Sequence, residues 1–491
     1  MKTIPFKNSY FDLGSAFYQS ITPSSVRNPQ LIVYNETLGD ELGLAETALN
    51  ASAGVSIFAG NQVPEGAAPL AMAYSGHQFG QFNPNLGDGR AILLGQIVTP
   101  SGHSKDLHLK GTGQTAFSRN GDGRAALGPV LREYLVSEAM ARLGVPTTRA
   151  LAAVTTGEKV IRDRVLPGAI ITRVAASFVR IGTFEHFRAR GDQASLLRLA
   201  DYVIEHHYPD LKESANPYLS LLESVIEGQA PLIARWMQLG FIHGVMNTDN
   251  MSILCETIDY GPCAFMDHYA HDRVFSSIDH YGRYAYKNQP NIGLWNLSRF
   301  AECLLHLIDP DTETAVDIAK DRLERFVRSY QKHWLTGMRA KLGLDSESDQ
   351  DQDLIEELLH IMSSEKADFT QVFYQLSLLD LDGSNDQTAL ALFGKAESFS
   401  HWIAKWRQRL QRESSDDKSR KAAMRRVNPA FIPRNHLIEA AIRAAEDNGD
   451  FSAFYALHQV LQKPFDHQPG KEVYMQAPKP HETVHQTFCG T

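Results

Sequence analysis

The stretch HGVMNTDNMSILCETIDYGP, residues 243–262, concentrates side chains that could do chemistry. Asp249, Asn250 and Asp259 supply carboxylate and amide oxygens on both sides of the apolar segment 251–255. Because a buried β-hairpin over that segment would bring its ends together, we expect Asn250 and Asp259 to converge on one point. Such oxygen ligands suit Mg²⁺, which keeps bound waters and takes further ligands from a nucleotide phosphate. The sequence therefore predicts a divalent-cation site at Asn250 and Asp259.

The same stretch follows the order of a protein-kinase active site, with one departure. Kinases bind metal ions through a catalytic-loop Asn and the Asp of an Asp-Phe-Gly tripeptide, roles that Asn250 and Asp259 would fill here. His243 parallels the His that opens the kinase loop, and we expect it to support the loop rather than to titrate. Kinases place their acceptor-activating Asp two residues after that His, where this chain has Val245. Either the base has shifted to Asp249, or the geometry of transfer differs.

Two glycine-rich segments could bind phosphate. In NLGDGRAILLGQI, Gly87 and Gly89 lead into a predicted strand with Arg90 at its mouth. Glycines let backbone N–H groups approach an anion, and a guanidinium can bind phosphate oxygens. The alternative for this segment is an ordinary Gly-Asp-Gly hairpin turn. In the second segment, FSRNGDGRAALGP, Asp122 and Gly123 are candidate phosphate or ribose contacts.

Lys110 and Glu133 form a candidate supporting ion pair. Lys110 ends a predicted strand, and Glu133 lies in the expected first turn of the helix that follows. A lysine held by a helix carboxylate can be aimed at a nucleotide phosphate, as in kinases. The alternative is that the helix dipole favours a Glu in the first turn and that Lys simply ends a strand. The order of glycine loop, strand Lys and helix Glu favours nucleotide binding.

Arg173 and Arg180 lie in and just after the predicted strand AIITRVA, where a kinase has its apolar adenine-binding hinge. Two guanidinium groups there suit a triphosphate better than a purine. If the nucleotide were bound in reverse, its α-phosphate rather than its γ-phosphate would face Asp249 and the metal. The alternative is a pair of surface arginines bound to Glu185 or to other nearby carboxylates.

A sheet, a helix and a buried loop are needed to position these residues. Short apolar runs bounded by Gly, Pro and Asp predict strands over 90–98 and 106–113, and two more in RALAAVTTGE and GAIITRVA. The segment 128–144 is predicted to be a helix, since Pro129 suits a first turn and Gly144 a stop. From about residue 192 the periodicity is mainly helical. The charged stretches LDSESDQDQD and ESSDDKSRKAAMRR are predicted to be exposed loops.

Composition limits the classes of protein to consider. The 491-residue chain is 43% apolar and 21% charged, which is ordinary for a globular protein with a large core. A net charge of −9 argues against a nucleic-acid scaffold. No apolar run approaches the roughly 18 residues of a membrane span, and the N-terminus shows no targeting signal. Four scattered cysteines do not suggest a disulfide framework. We expect a cytoplasmic protein that binds neither nucleic acid nor membrane.

The sequence resembles the selenoprotein O family, which includes the bacterial YdiU-type proteins, along nearly its whole length. Four long stretches carry the likeness: YSGHQFGQFNPNLGDGRA, HLKGTGQTAFSRNGDGRAALGPVLREYLVSEAM, ITRVAASFVRIGTFEHF and HGVMNTDNMSILCETIDYGP. Family members are pseudokinases that act as protein adenylyltransferases. The resemblance implies an α+β, bilobal protein-kinase-like fold with N-terminal and mainly helical C-terminal extensions. It also implies that ATP is bound in reverse and that AMP moves onto Ser, Thr or Tyr hydroxyls of proteins.

The resemblance also implies roles for individual positions. Asp249 would be the proton acceptor, and Asn250 and Asp259 would bind Mg²⁺ or Mn²⁺, with Asp259 also contacting the nucleotide. The other nucleotide contacts would be Gly87, Gly89, Arg90, Lys110, Asp122, Gly123, Arg173 and Arg180. The expected regions are an N-terminal extension (1–60), a kinase-like N-lobe (61–182), a C-lobe with the catalytic and metal-binding loop (183–340) and a helical C-terminal region (341–491).

Cys489 lies two residues from the end of the sequence, where a thiol is normally exposed and mobile. Animal members of the family have selenocysteine near the C-terminus, and the corresponding residue here is Cys489, which implies redox chemistry. Cys263 is the favoured partner, because a tail tethered there would close over the nucleotide site. The alternative is that Cys255 and Cys263 are buried small hydrophobes.

Sequence and resemblance together predict a Mg²⁺-dependent protein adenylyltransferase whose partners are ATP and proteins with Ser, Thr or Tyr hydroxyls. Three alternatives stay open: a uridylyltransferase that uses UTP with Mn²⁺, a kinase that transfers the γ-phosphate, and a non-catalytic pseudokinase that senses nucleotide. Val245 at the usual position of the base favours the last of these, and the intact metal pair counts against it.

Overall fold

Antiparallel strands from the first 175 residues form the sheet that carries the predicted site. The computed structural model describes residues 4–44 and 52–488. The strands are β1 (Tyr18–Ser20), β2 (Gln30–Tyr34), β3 (Leu70–Met72), β4 (Gly76–Gln78), β5 (Gln81–Asn83), β6 (Ala91–Val98), β7 (Ser104–Lys110), β8 (Ala125–Ala126), β9 (Arg149–Ile161), β10 (Val165–Ala175), β11 (Phe241–Ile242) and β12 (Ala264–Phe265). The main sheet has the order β1-β3-β6-β7-β10-β9-β2, and β8 pairs with β10.

The four strands predicted from sequence are confirmed as β6, β7, β9 and β10. They are neighbours in the sheet, in the order β6-β7-β10-β9. Ile171 of β10 lies opposite Lys110 of β7. Both faces of this sheet are buried. Leu93 and Ile171 belong to one hydrophobic cluster, while their neighbours Leu94 and Ile170 belong to the other. Because successive side chains alternate between faces, the strands read as continuous apolar runs.

Helices cover the sheet and form most of the chain after residue 180. They are α1 (Glu36–Glu41), α2 (Ser52–Phe58), α3 (Leu127–Arg142), α4 (Ile181–Ala189), α5 (Gln193–His207), α6 (Pro217–Leu239), α7 (Gln289–Ile308), α8 (Thr312–Lys341), α9 (Asp351–Glu365), α10 (Phe369–Leu376), α11 (Gln387–Leu390), α12 (Ala396–Leu410), α13 (Asp417–Val427), α14 (Asn435–Asn448) and α15 (Ser452–Leu461). The protein is therefore a mixed α+β molecule. Within the described ranges, no helix has the length and apolar character needed to cross a membrane.

The predicted helix over 128–144 is confirmed as α3, but Glu133 lies in its second turn, not its first. The helix begins one residue earlier than expected, at Leu127. Its N-terminus is capped from the distant helix α14, where Glu446 Oε1 accepts a hydrogen bond of 2.9 Å from the backbone N–H of Gly128. A first-turn dipole preference therefore does not account for Glu133.

The stretch 413–426 is mostly helix α13 rather than the exposed loop expected from its charge. The side chain of Asp416 accepts a hydrogen bond from the backbone of Ser419 and caps the helix. Met424, on the inner face of α13, is fully buried. The buried side chain of Met424 and the Asp416 cap thus stabilise a helix in spite of the many charged residues.

Residues near the N-terminus take part in the sheet instead of standing apart from it. Strand β1 forms one edge, with Tyr18 opposite Met72. Strand β2 forms the other edge, with Tyr34 opposite Ala152. The first 34 residues therefore supply both edge strands.

Candidate active site

A cavity of about 550 Å³ lies between the sheet and the loop that follows β11. It is lined by every residue predicted to bind nucleotide or metal and by the predicted base: Gly87, Gly89, Arg90, Lys110, Asp122, Gly123, Arg173, Arg180, Asp249, Asn250 and Asp259. Residues that are up to 172 positions apart in sequence thus meet at one site.

Five charged side chains form a continuous chain of ionic contacts, and four of them, all except Glu133, line the cavity. Glu133 accepts a hydrogen bond of 2.7 Å from Lys110 Nζ and another from Arg173 Nε. Arg173 Nη2 in turn donates to Asp259 Oδ1 at 2.9 Å, and Arg180 Nη1 lies 3.3 Å from Asp259 Oδ2. Three cations alternate with two anions, so the chain has one excess positive charge.

The two carboxylates of this chain stay ionised. Burial would raise the pKa of Glu133, but the charges of Arg173 and Lys110 lower it to about 2. Burial would likewise raise the pKa of Asp259, but Arg173 and Arg180 hold it well below its ordinary range. Burial and the charge of Arg173 lower the pKa of Lys110 to about 8, against the opposing effect of Glu133.

Arg173 and Arg180 are not surface arginines and do not bind Glu185, although both bind another carboxylate, that of Asp259. Arg173 and Arg180 are only 4% and 2% exposed. Glu185 instead binds His77 Nδ1 at 2.5 Å and accepts a hydrogen bond from Thr248. Burying two guanidinium groups is costly unless they are paired, and Asp259, the partner that they share, lines the cavity.

The loop that carries Asn250 and Asp259 is irregular, not the regular hairpin expected from its sequence. Met251 pairs with Thr257 through one isolated bridge. Cys255 and Asp259 both have left-handed backbone, with φ of +58° and +60°. Non-glycine residues adopt this conformation at a cost, and such strain concentrates at functional sites. The tight turn still directs Asn250 and Asp259 into the same cavity.

His243 lies where it supports this loop. It is buried, its Nε2 donates to the carbonyl of Ile258 at 2.9 Å, and burial lowers its pKa. A neutral ring with its proton on Nε2 therefore supports the residue before Asp259.

Asp249 differs from Asp259 in its surroundings. It is buried, its Oδ2 accepts a hydrogen bond of 3.1 Å from Gln78 Nε2, and its Oδ1 has no hydrogen-bond partner among the described residues. Burial raises the pKa of Asp249 to about 7. A carboxyl group with such a pKa can exchange a proton near neutral pH. Val245, the kinase base position, lines the same cavity.

The oxygen ligands fit a cation that completes its coordination with nucleotide and water. The Asn250 amide donates its Nδ2 proton to Val245 at 3.0 Å, an orientation in which its oxygen is available. Asp259 is anionic, and the buried Oδ1 of Asp249 is unpartnered. No cluster of three or more His, Cys, Asp or Glu residues in the described ranges could hold a metal by itself. This donor set matches Mg²⁺ or Mn²⁺ sites completed by phosphate.

The two glycine-rich segments interlock, and the first is not a simple hairpin turn. It joins β5 to β6, which are not paired. A Cβ added to Gly89 would lie 2.7 Å from the carbonyl oxygen of Phe117 in the second segment. Gly123 has φ +66°, and its added Cβ would lie 2.0 Å from the Gly113 oxygen. Close backbone approach therefore explains these glycines.

Asp122 lies at the rim of the cavity. Its carboxylate binds both terminal nitrogens of Arg162, at 2.8 and 3.0 Å, and the hydrogen bonds from Arg162 lower its pKa.

Arg162 also lines the cavity and was not predicted. Gln78 and Asp88 were missed too: Asp88 accepts hydrogen bonds from Met72 and His108 and orients the first glycine segment. No local pattern around these residues marks them.

The structure places the C-terminal tail beside the site. Thr487 Oγ1 donates to the carbonyl of Pro262 at 2.5 Å, and Pro262 lines the cavity. Cys263 is buried in the hydrophobic core. Cys489 lies outside the described residues, so its pairing with Cys263 stays a prediction.

Comparisons with known proteins agree on one family. A family model described as protein adenylyltransferase SelO matches residues 1–462. The chain is 58% identical over 487 residues to the protein nucleotidyltransferase YdiU of Rhizobium leguminosarum bv. trifolii (strain WSM2304), covering 99% of this chain and 97% of the relative. It is 56% identical over 491 residues to the protein of the same name from Rhizobium meliloti (strain 1021), covering 100% of both. The Rhodopseudomonas palustris (strain BisB5) protein, also so named, is 55% identical over 487 residues, with 99% of both covered.

Proposed function

We propose a function for this chain, which belongs to the SelO family and is a nucleotidyltransferase. It transfers AMP from ATP to Ser, Thr or Tyr hydroxyls of proteins. The proposal includes a kinase-like bilobal fold, with an N-terminal extension over 1–60, an N-lobe over 61–182, a C-lobe over 183–340 and a helical C-terminal region over 341–491. It also includes ATP bound in reverse.

The observation that carries the proposal is the pair of buried arginines beside Asp259. A kinase hinge binds adenine through an apolar wall, whereas Arg173 and Arg180 make this wall cationic. Such a wall attracts the β- and γ-phosphates, which leaves the α-phosphate for the acceptor. The glycine segments and Arg90 hold the other side of the nucleotide.

In the proposed reaction, Asp249 accepts the proton of the acceptor hydroxyl. The hydroxyl oxygen then forms a bond to the α-phosphorus, the bond from that phosphorus to the bridging β-phosphate oxygen breaks, and pyrophosphate leaves. Lys110, Arg173 and Arg180 stabilise the negative charge that develops on the phosphate oxygens. Mg²⁺ or Mn²⁺, held by Asn250 and Asp259, supplies further charge neutralisation when bound.

Labelled nucleotides test the proposal directly. Wild-type protein is incubated with Mg²⁺ or Mn²⁺ and with ATP labelled at the α- or the γ-phosphate, and label on protein is measured. We expect incorporation from α-labelled ATP and a mass increase equal to AMP. Label from γ-labelled ATP without that mass increase would instead make the protein a kinase, and preferential use of α-labelled UTP would make it a uridylyltransferase.

A variant separates catalysis from nucleotide sensing. Asp249→Ala should lower turnover by about 10²- to 10⁴-fold, the usual contribution of a general base, with little change in the affinity for ATP. Unchanged turnover with weaker ATP binding would assign Asp249 to binding instead. Absence of any transfer by wild-type protein that binds ATP would favour a non-catalytic pseudokinase.

A further inference from the structure

A small hairpin from before the first glycine segment lies against the loop that carries Asp249. It consists of β4 and β5, in which Gly76 pairs with Asn83. The backbone N–H of His77 donates to Thr248 Oγ1 at 2.7 Å, and the backbone N–H of Phe79 donates to Asn247 Oδ1 at 3.1 Å. Residues on either side of Gln78 are thus bound to the two residues that precede Asp249.

Gln78 itself contacts Asp249. Its Nε2 donates to Asp249 Oδ2 at 3.1 Å, and among the described residues it is the side chain that donates to this carboxylate. The other oxygen, Oδ1, is buried and without a hydrogen-bond partner. One oxygen is therefore held by the hairpin through Gln78, the other is buried against Gly76, and both Gln78 and Asp249 line the cavity.

The hairpin approaches Asp249 so closely that a side chain would not fit between them. A Cβ added to Gly76 would lie 2.7 Å from Asp249 Oδ1. A Cβ added to Gly182, at the start of α4, would lie 3.2 Å from Asp249 Cα and 2.1 Å from the Ser75 oxygen. Gly182 also accepts a backbone hydrogen bond of 3.0 Å from Ser75. Asp249 thus packs against both the hairpin and the start of α4.

A buried carboxylate fixes the hairpin in place. Glu185, on α4, binds His77 Nδ1 at 2.5 Å and accepts a hydrogen bond from Thr248. It therefore joins the hairpin, the loop and α4 at one point. Because these contacts are buried, they hold the amide of Gln78 in register with Asp249.

We propose that Gln78 is a positioning residue for the transfer reaction, acting through its hydrogen bond to Asp249, and that the hairpin 76–83 exists to present it. The proposal rests on the proposed function, in which Asp249 accepts the proton of the acceptor hydroxyl. The amide of Gln78 fixes the rotation of the carboxylate beside the cavity that both residues line. Placement errors of about 1 Å can cost about 100-fold in rate, so one such hydrogen bond has a large effect.

The test compares two glutamines of the same hairpin. Gln78→Met keeps the length and shape of the side chain but removes the N–H donor. Gln81→Met makes the same change at Gln81, which is the cross-strand partner of Gln78 and has an exposed side chain. We expect Gln78→Met to lower kcat by about 10- to 100-fold with little change in the KM for ATP. Gln81→Met should match wild type in both constants.

A double-mutant cycle then shows whether Gln78 acts through Asp249. In an Asp249→Asn background, Gln78→Met should lower kcat less than twofold further, since the group it positions is already lost. Full additivity, or a raised KM for ATP with unchanged kcat, would overturn the proposal. Thermal unfolding of each variant separates a local effect from misfolding, and Gln78→Leu, which also lacks the donor, provides a second variant. The cycle uses whichever label wild-type protein transfers, so wild-type protein without transfer activity refutes the proposed function before Gln78 is tested.

Discussion

Asp249 and Asp259 lie ten residues apart on one loop, yet their acidities shift in opposite directions. Burial raises the pKa of Asp249 to about 7, while two guanidinium groups hold the pKa of Asp259 well below its ordinary range. Environments that separate the pKa values of two carboxyl groups assign them different tasks. Asp259 suits a permanently anionic ligand, and Asp249 suits proton exchange.

Substitution of Asp259 should abolish transfer. Asp259→Ala removes one of two proposed protein ligands for the metal and leaves Arg173 and Arg180 facing each other without their shared anion. We expect turnover to fall at least about 100-fold and the Mg²⁺ concentration needed for half-maximal activity to rise. Activity measured over a Mg²⁺ titration checks this.

Asp259→Asn is the matched control, since it keeps the shape and one oxygen but loses the charge. It should retain more thermal stability than Asp259→Ala and yet remain nearly inactive. Near-normal turnover of either variant, with an intact fold, would mean that the metal is held elsewhere.

Buried Asp106, in β7, should make stability depend on pH. Burial raises its pKa from 3.8 to about 7, against hydrogen bonds from the Phe178 N–H and the Gln96 amide. Because the folded-state pKa exceeds the unfolded value, the folded state binds more protons between about pH 4 and pH 7. The contribution of Asp106 to stability is therefore full below pH 4 and is lost as the pH rises through 7, by up to about 1.4 kcal/mol per pH unit.

Asp106→Asn removes this titration. Urea unfolding at several pH values should show that the free energy of unfolding of the variant falls less steeply between pH 4 and pH 7 than that of wild type. A constant difference between the two curves would contradict the assignment. The lost hydrogen-bond acceptor shifts the variant curve as a whole, which does not affect the slope.

The sequence predicts which side chains face the cavity better than it predicts what each one touches. Residue type and order along the chain identify Gly87, Lys110 and Asn250, because both are local features of the sequence. The partners of Arg173 are not: Glu133 and Asp259 are 40 and 86 positions away, and ionic contacts leave no periodic signal. Gln78 was missed for the same reason, since its contact with Asp249 spans 171 positions.

At the scale of elements, the second glycine segment packs closely against the backbone of the first segment and against the turn after β7. We propose that the two segments face the phosphates of ATP together. Gly123→Ala would force a Cβ against the Gly113 oxygen, in the turn after β7, and displace the second segment. We expect the affinity for ATP to fall about tenfold or more, since small displacements of binding groups are costly. Calorimetric titration with ATP measures this.

Gly102→Ala is the matched control for that variant. Gly102 also has a positive φ, +85°, but an added Cβ would have nothing within 4 Å. Both variants carry about 1–2 kcal/mol of backbone strain, and only Gly123→Ala should weaken ATP binding. An affinity for ATP in Gly123→Ala equal to that in Gly102→Ala would show that the close contact with Gly113 does not position the ATP-binding groups.

Elements with strong local signals were predicted within a few residues, while weak ones were missed. The apolar runs of β6 and β10 and the Pro and Gly limits of α3 are local features. Strand β1 has three residues and β4 has three, too few to show an alternating pattern. Such strands form because partners elsewhere in the chain offer hydrogen bonds.

At the scale of the whole molecule, a buried ion cluster joins three distant regions. Arg434, at the start of α14, binds Asp267 at 2.7 Å and Asp368 at 2.8 Å. Arg434→Met would leave two buried carboxylates without a cation, which typically costs about 3–5 kcal/mol. Urea unfolding at pH 7 should show this loss.

An exposed ion pair provides the control for Arg434. Lys405, which is 58% exposed at its side chain, binds Glu357 at 2.7 Å. Lys405→Met should change the free energy of unfolding by less than about 1 kcal/mol. Comparable losses in both variants would contradict the role assigned to the buried cluster.

The edge strand β2, near the N-terminus, is synthesised long before the residues that it contacts in the folded protein. Strand β2 leaves the ribosome early, but its partner β9 begins only at Arg149. The hydroxyl of Tyr455, which donates to the Ile32 carbonyl at 2.8 Å, arrives almost at the end of translation. A nascent chain therefore carries β2 without its sheet partner until β9 has been synthesised, and unpaired edges invite association with other chains. Translation speed through the segment 35–148 thus determines how long that strand is exposed to chaperones and to neighbouring nascent chains.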